Sequence, residues 1–168
     1  MSTRIIDRKF FLQPAEELAP QLLGKVLCRK LVDDNNHMFT VRGRITVTEA
    51  YCYGESFKDL TKTEKKGGHL YVIQIMFAFV HFGIVANDEG IGEGVLICGI
   101  DPYTEFYAAR ALDINTSLDG EDLVTSETIW LEDDDVAIIQ SEPRTRSGDK
   151  SEKKLRFSVK EIKFRASS

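Results

Sequence analysis

Nothing in this chain of 168 residues is apolar for long enough to cross a membrane as a helix. The most apolar stretch, the sixteen residues from Leu70 to Val85, contains Gln74 and His81 and falls short of the ~20 residues that a span needs. The opening Met-Ser-Thr-Arg-Ile-Ile-Asp-Arg-Lys lacks the apolar core of a signal peptide. A cytosolic protein is therefore expected. Cysteine is scarce. Cys28, Cys52 and Cys98 are odd in number, with no Cys-x-x-Cys and no His at ligand spacing, which argues against a disulfide framework and against a zinc site. No metal and no other cofactor is expected. No internal repeat or linker is visible, and 42 % hydrophobic content over this length suits one core. A single domain over 1–168 and a monomer are the expected organisation.

Basic residues are nearly missing from one long segment. Between Asp101 and Glu142 stand twelve acidic residues and the single Arg110, a balance of -11, whereas Arg144 to Ser168 holds nine basic and three acidic residues, a balance of +6. The overall charge of -5 thus hides a polarised chain. A basic face can bind phosphates while the acidic face points away, because the local field governs association.

Hydrophobic patterning predicts an α+β fold: a mostly antiparallel sheet with flanking helices. Ala15, Leu18, Ala19, Leu22 and Leu23 follow the helical i, i+3, i+4 pattern, with Pro14 at the start and Gly24 as the stop. Pro20 predicts a kink or a short helix there. Lys25 to Val32 and Met38 to Tyr51 read as strands joined by the polar turn Asp33-Asp-Asn-Asn-His37. Leu70 to Val85 reads as a hairpin and Val95 to Ile100 as a strand. Tyr103 to Leu112 reads as a helix and Ser117 to Leu123 as a short helix or turn. Thr128 to Leu131, Val136 to Gln140 and Leu155 to Val159 complete the strands.

The strand Arg42-Gly-Arg-Ile-Thr-Val-Thr-Glu-Ala-Tyr51 carries the first chemical signal. Strict alternation places Ile45, Val47, Glu49 and Tyr51 on one face and Thr46, Thr48 and Ala50 on the other. A carboxylate on an apolar face must be paired, sit at a cleft, or hold a proton, and the last of these is how a general base is prepared. A Tyr two residues on shares whatever cavity Glu49 faces.

Several segments extend this signal in order: Phe10-Phe-Leu-Gln-Pro14, the Thr48-Glu-Ala-Tyr51 core, Gly68-His-Leu-Tyr-Val72, Val95-Leu-Ile-Cys-Gly-Ile-Asp-Pro102 and Leu155-Arg-Phe-Ser-Val159. Together, from about Arg8 to Val159, the chain resembles the alkyladenine (3-methyladenine) DNA glycosylase family in a divergent, shortened form. The resemblance implies a sheet that is partly barrel-like, and excision of alkylated purines such as 3-methyladenine from double-stranded DNA, in the cytoplasm (nucleoid-associated in a bacterium) or in the nucleus. A glycosidic bond hidden in the duplex demands base flipping, a wedge to hold the stack open, aromatic faces for the base and a carboxylate to activate water. On the resemblance, Glu49 is the water-activating residue and Tyr51 a base-stacking one. Met76 and Phe77 fall where the family inserts a wedge from a hairpin tip. Arg144 matches an Arg of a late loop. With Arg146, Lys153 and Lys154, and with Lys62, Lys65 and Lys66, it is expected to bind DNA.

The family pattern also fails in places. Residues 52–68 contain no His where the family has a base-stacking one. The family's Asn beside the catalytic water falls at Gly83, with Asn87 four residues later, and its Arg in Leu-Arg-Ala-Leu-Glu-Pro is replaced by Cys98. His69 and His81 do not match the family's His, and His81 is expected in the interior. A catalytically weak relative that binds lesions, or a protein interaction module using the acidic 101–142 surface, is the alternative.

Overall fold

The computed structural model describes residues 1–52, 65–77, 79–104 and 107–164. Chain order gives β1 (Thr3–Arg4), α1 (Ala15–Leu22), β2 (Val26–Val32), β3 (Met38–Tyr51), β4 (Leu70–Met76), β5 (Phe79–Ala86) and β6 (Glu93–Asp101). After these come α2 (Ala108–Ala111), β7 (Ile129–Asp133), β8 (Ala137–Gln140) and β9 (Arg156–Lys163), with 3-10 turns at Arg8–Phe10 and Thr116–Leu118. Among the described residues all strand pairings are antiparallel, in the order β1-β7-β2-β3-β6-β5-β4. The expected α+β class holds, but among the described residues the sheet is not closed into a barrel. Its path ends at β1 and β4, which pair with different neighbours, and β8 adds a further edge.

β3 organises the molecule because its fourteen residues outrun any single partner. Along one edge its first half pairs with β2 (Val26 opposite Arg44) and its second half with β9 (Glu49 opposite Arg156). The other edge pairs with β6 from Arg44 to Tyr51. The β2–β3 turn is tied by Asp33 Oδ1, which accepts from the N–H groups of Asn35 and His37. Asn36 supplies the left-handed residue at φ 64°, a conformation that Asn tolerates.

Helix α1 buries Ala15, Leu18, Ala19 and Leu22, the expected stripe, against the core face of the sheet. Glu93 reaches from β6 to accept the Ala15 N–H at 2.8 Å, which caps the helix from outside its own sequence. Pro20 sits in the last turn of this eight-residue helix, and Gly24 follows at φ 85°. The helix expected over Tyr103–Leu112 is shorter: α2 covers Ala108–Ala111 and ends where Asp113 adopts φ 47°. Residues 105 and 106 lie outside the described ones.

Candidate active site

Two compensating bulges decide where Glu49 points. The β3–β6 ladder runs Ile45–Ile100, Val47–Gly99, Thr48–Ile97 and Glu49–Leu96, so Thr46 is the extra residue on β3 and Cys98 the extra residue on β6. Each bulge reverses the parity of its strand. Ile45, Thr48 and Ala50 therefore face the main core, with Thr48 Oγ1 donating to the Ala19 carbonyl of α1 at 2.8 Å. Tyr51 joins Tyr71, Val85 and Leu96 in a second cluster on the opposite face. This corrects the strict-alternation reading: Glu49 and Tyr51 do not share a face with Ile45, because the Thr46 bulge intervenes.

Glu49 is 2 % exposed and accepts three hydrogen bonds. The Tyr51 hydroxyl donates to Oε1 at 3.0 Å, while Oε2 accepts from the Ser147 N–H at 3.2 Å and from Arg156 Nη1 at 2.7 Å. Arg156 is its directly opposed residue on β9, so the ion pair is a cross-strand pair set by register. Of the outcomes open to a carboxylate on an apolar face, this one is both paired and at a cleft. The sequence reading did not single out Arg156 or Ser147. The signal available was Arg156 alternating with the apolar Leu155, Phe157 and Val159.

Tyr51 is partly buried, and its ring lies under Arg146, whose guanidinium carbon is 4.6 Å from the ring centroid. Burial, then the charge and hydrogen bond of Glu49, push the Tyr51 phenol well above its ordinary range, which keeps it a donor. Arg146 is held by the Ala50 carbonyl at 2.8 Å and by Asp149 Oδ2 at 2.9 and 2.6 Å. The Ser151 N–H first, and then Arg146, hold Asp149 down at about 2. At 7 % exposure Arg146 is buried behind the Tyr51 ring, unlike the exposed Arg144, and three of its hydrogen bonds go to Asp149 and the Ala50 carbonyl.

A cavity of about 570 Å³ opens beside this pair. The β5–β6 ladder ends at Gly83–Leu96, and the strands beyond it supply walls from Phe79 to Phe82 and from Ile97 to Ile100. Glu49, Tyr51, Ser147 and Arg156 line one side, and Ala108, Ala109 and Arg110 of the α2 segment another. His81, expected in the interior, is exposed and lines the cavity, because it lies beyond the end of that ladder. Cys98, the bulge residue, lines it too. Asn87 is not brought to it by any register change: it lies past the end of β5, its backbone bonded to Gly67 and Phe11. His69 is tied to the Lys66 carbonyl at 2.7 Å and to Asp122. Among the described residues, no three His, Cys, Asp or Glu side chains gather as a group able to hold a metal ion.

At the β4–β5 tip, Met76 is 64 % and Phe77 is 91 % exposed, and Phe77 takes φ 51°. Ile75, Met76 and Phe79 line the cavity, so the apolar tip and the cavity wall belong to one hairpin. Arg144, Lys65, Lys66, Lys153 and Lys154 are exposed, and the Arg144 backbone bridges that of Arg156 in both directions. Lys62 lies outside the described residues.

The model of the methylpurine-DNA glycosylase family matches residues 9–110, a span that includes Glu49, the hairpin and both bulges. The chain belongs to this family. A Clostridium beijerinckii protein named as a 3-methyladenine DNA glycosylase is 36 % identical over 117 residues, covering 63 % of this chain and 55 % of the relative. A Borrelia garinii protein of the same name is 28 % identical over 187 aligned positions, covering 95 % and 98 %. An Encephalitozoon cuniculi protein named as a DNA-3-methyladenine glycosylase is 27 % identical, covering 90 % and 88 %. The match spans about half the length of the clostridial relatives. The cavity lies on the face of the sheet that carries Glu49 and Tyr51.

Proposed function

We propose that this chain hydrolyses the N-glycosidic bond of alkylated purines, such as 3-methyladenine, in double-stranded DNA. The observation that carries this reading is a carboxylate withdrawn from solvent on the wall of a cavity, with an aromatic ring two residues along the same strand. A carboxylate offers about four acceptor positions, and the three bonds to Glu49 leave room for a water. With the base flipped into the cavity against Tyr51, Glu49 takes a proton from that water. The water oxygen bonds to C1′, and the C1′–N bond breaks with its electron pair leaving on the base. An alkylated purine carries positive charge before cleavage, so it departs neutral and suits an aromatic face. Met76 and Phe77 act as the wedge, because an apolar tip beside the cavity can fill the gap that flipping opens. Arg144, Lys65 and Lys66 contact phosphates, and Arg146 acts from within the site by holding Tyr51.

The test is incubation with duplexes carrying 3-methyladenine, 7-methylguanine, hypoxanthine or ethenoadenine, followed by alkaline cleavage at abasic sites. Breakage at a lesion, with none in undamaged duplex, is the expected result. One observation favours a second reading, a lesion binder with little turnover: Arg156 and the Ser147 amide both occupy Oε2 of Glu49. Tight lesion binding without breakage would select that reading.

A further inference from the structure

One buried polar group packed near Tyr51 has no partner among the described residues. The Tyr71 hydroxyl, on a residue 3 % exposed, makes no hydrogen bond, although Tyr71 packs in the same cluster as Tyr51, Leu96 and Cys98. Two glycines explain its position. A Cβ at Gly83 would lie 2.2 Å from the Tyr71 oxygen, and a Cβ at Gly94 would lie 3.3 Å from it, so the phenol rests in a trough that only glycine leaves open. Those glycines sit at informative register positions. Gly94 is directly opposite Tyr51, and Gly83 is opposite Leu96, which is opposite Glu49. Directly opposed positions of an antiparallel pair have Cβ atoms about 5 Å apart. The Tyr71 oxygen therefore lies beside the Tyr51 side chain and in the row that ends at Glu49.

We propose that Tyr71 is a positioning residue of the excision site, its hydroxyl donating to the Tyr51 phenol oxygen so that Tyr51 in turn holds Glu49 Oε1. The proposal rests on the excision reading for its purpose and on the geometry of the trough for its substance. A phenol oxygen both donates and accepts, so Tyr51 serves as the middle member of a chain running from Tyr71 to the carboxylate. Such a chain polarises along its length and fixes the carboxylate's rotation about its own bond. Burial, then the neighbouring Cys98, Tyr51 and Glu49, push the Tyr71 phenol far up, so it remains a donor at every physiological pH. The hydroxyl, without a partner among the described residues, engages Tyr51 when the base seats against that ring.

Tyr71→Phe tests this, since it removes one oxygen and keeps the ring in its trough. Single-turnover base release should fall about 10-fold or more while the melting temperature holds, and any loss of affinity for the lesion duplex should be smaller than the loss of release rate. In protein labelled at the tyrosine ζ-carbon, the Tyr51 resonance should move when the lesion duplex binds to the parent and stay still in Tyr71→Phe. Unchanged release together with an unchanged Tyr51 response would overturn the proposal. A lowered melting temperature with proportionate loss of duplex binding would overturn it too, by making Tyr71 a packing residue. Should the parent release no base, the excision reading fails by itself, and the Tyr51 resonance alone decides whether Tyr71 engages it.

Discussion

Glu49 and Arg156 oppose each other across β3 and β9, and substituting them one at a time separates charge from chemistry. Glu49→Gln keeps the shape and loses the proton acceptor. Base release should fall by ~10²-fold or more with folding and duplex affinity retained, as read by single-turnover kinetics beside binding titrations. Full activity in that variant would take Glu49 out of the mechanism. Arg156→Ala instead strands a buried carboxylate. It should cost about 2–3 kcal/mol in urea unfolding, a figure below that for a fully buried pair because Arg156 is partly exposed. Combining it with Glu49→Gln should recover much of that loss. If the double variant is no more stable than Arg156→Ala, the guanidinium serves packing and not charge.

The β4–β5 hairpin carries both the apolar tip and part of the cavity wall, and its two functions come apart by truncation. Met76→Ala with Phe77→Ala should leave thermal stability nearly unchanged, because both side chains stand in solvent. Excision from paired DNA should fall more than excision from a mismatched site, where flipping costs less. A fluorescent base analogue at the lesion reports the flip, and undiminished flipping would remove the tip from the wedge role. At this scale the sequence is readable where periodicity is local. The hairpin over Leu70–Val85, the stripe of α1 and the bounds of β3 all follow from apolar spacing. The Thr46 bulge does not, since one extra residue changes no composition and leaves no mark on an alternating pattern. The burial of Arg146 is hidden for a related reason: it depends on Asp149 and on the Tyr51 ring, partners that sequence adjacency to exposed basic residues conceals.

For the molecule as a whole, charge governs binding and acid stability through different residues. Arg144→Glu should weaken binding to any duplex and flatten its salt dependence, each lost phosphate contact removing about 0.9 from the logarithmic slope. Arg146→Glu should act on base release instead, and an equal change of slope in both variants would contradict that division. Acid stability rests on carboxylates with guanidinium partners. The Arg44 hydrogen bonds hold the Asp134 carboxyl below its usual range. At Asp122 burial pushes upward, but Arg8, the Val124 N–H and His69 outweigh it. A carboxyl depressed on folding contributes stability that is complete above its unfolded value near 4 and is lost as pH falls through its folded value. The melting temperature should therefore drop below pH 4. Asp134→Asn and Asp122→Asn should each lower it at pH 7 and make it less sensitive to acid. A wild-type acid response in both variants would place the titrating groups elsewhere.

The paired bulges carry a genetic consequence. Because the extra residue at Thr46 is cancelled by the extra residue at Cys98, the ladders on either side stay in phase. A lineage that loses one codon here would put the remaining strands out of step by one position and slide Glu49 away from Leu96. Loss of both codons would restore a regular ladder with the carboxylate still facing the cavity. Insertions and deletions in these two strands should thus be inherited in matched pairs, and an alignment of many relatives in which one strand varies in length while the other does not would contradict it.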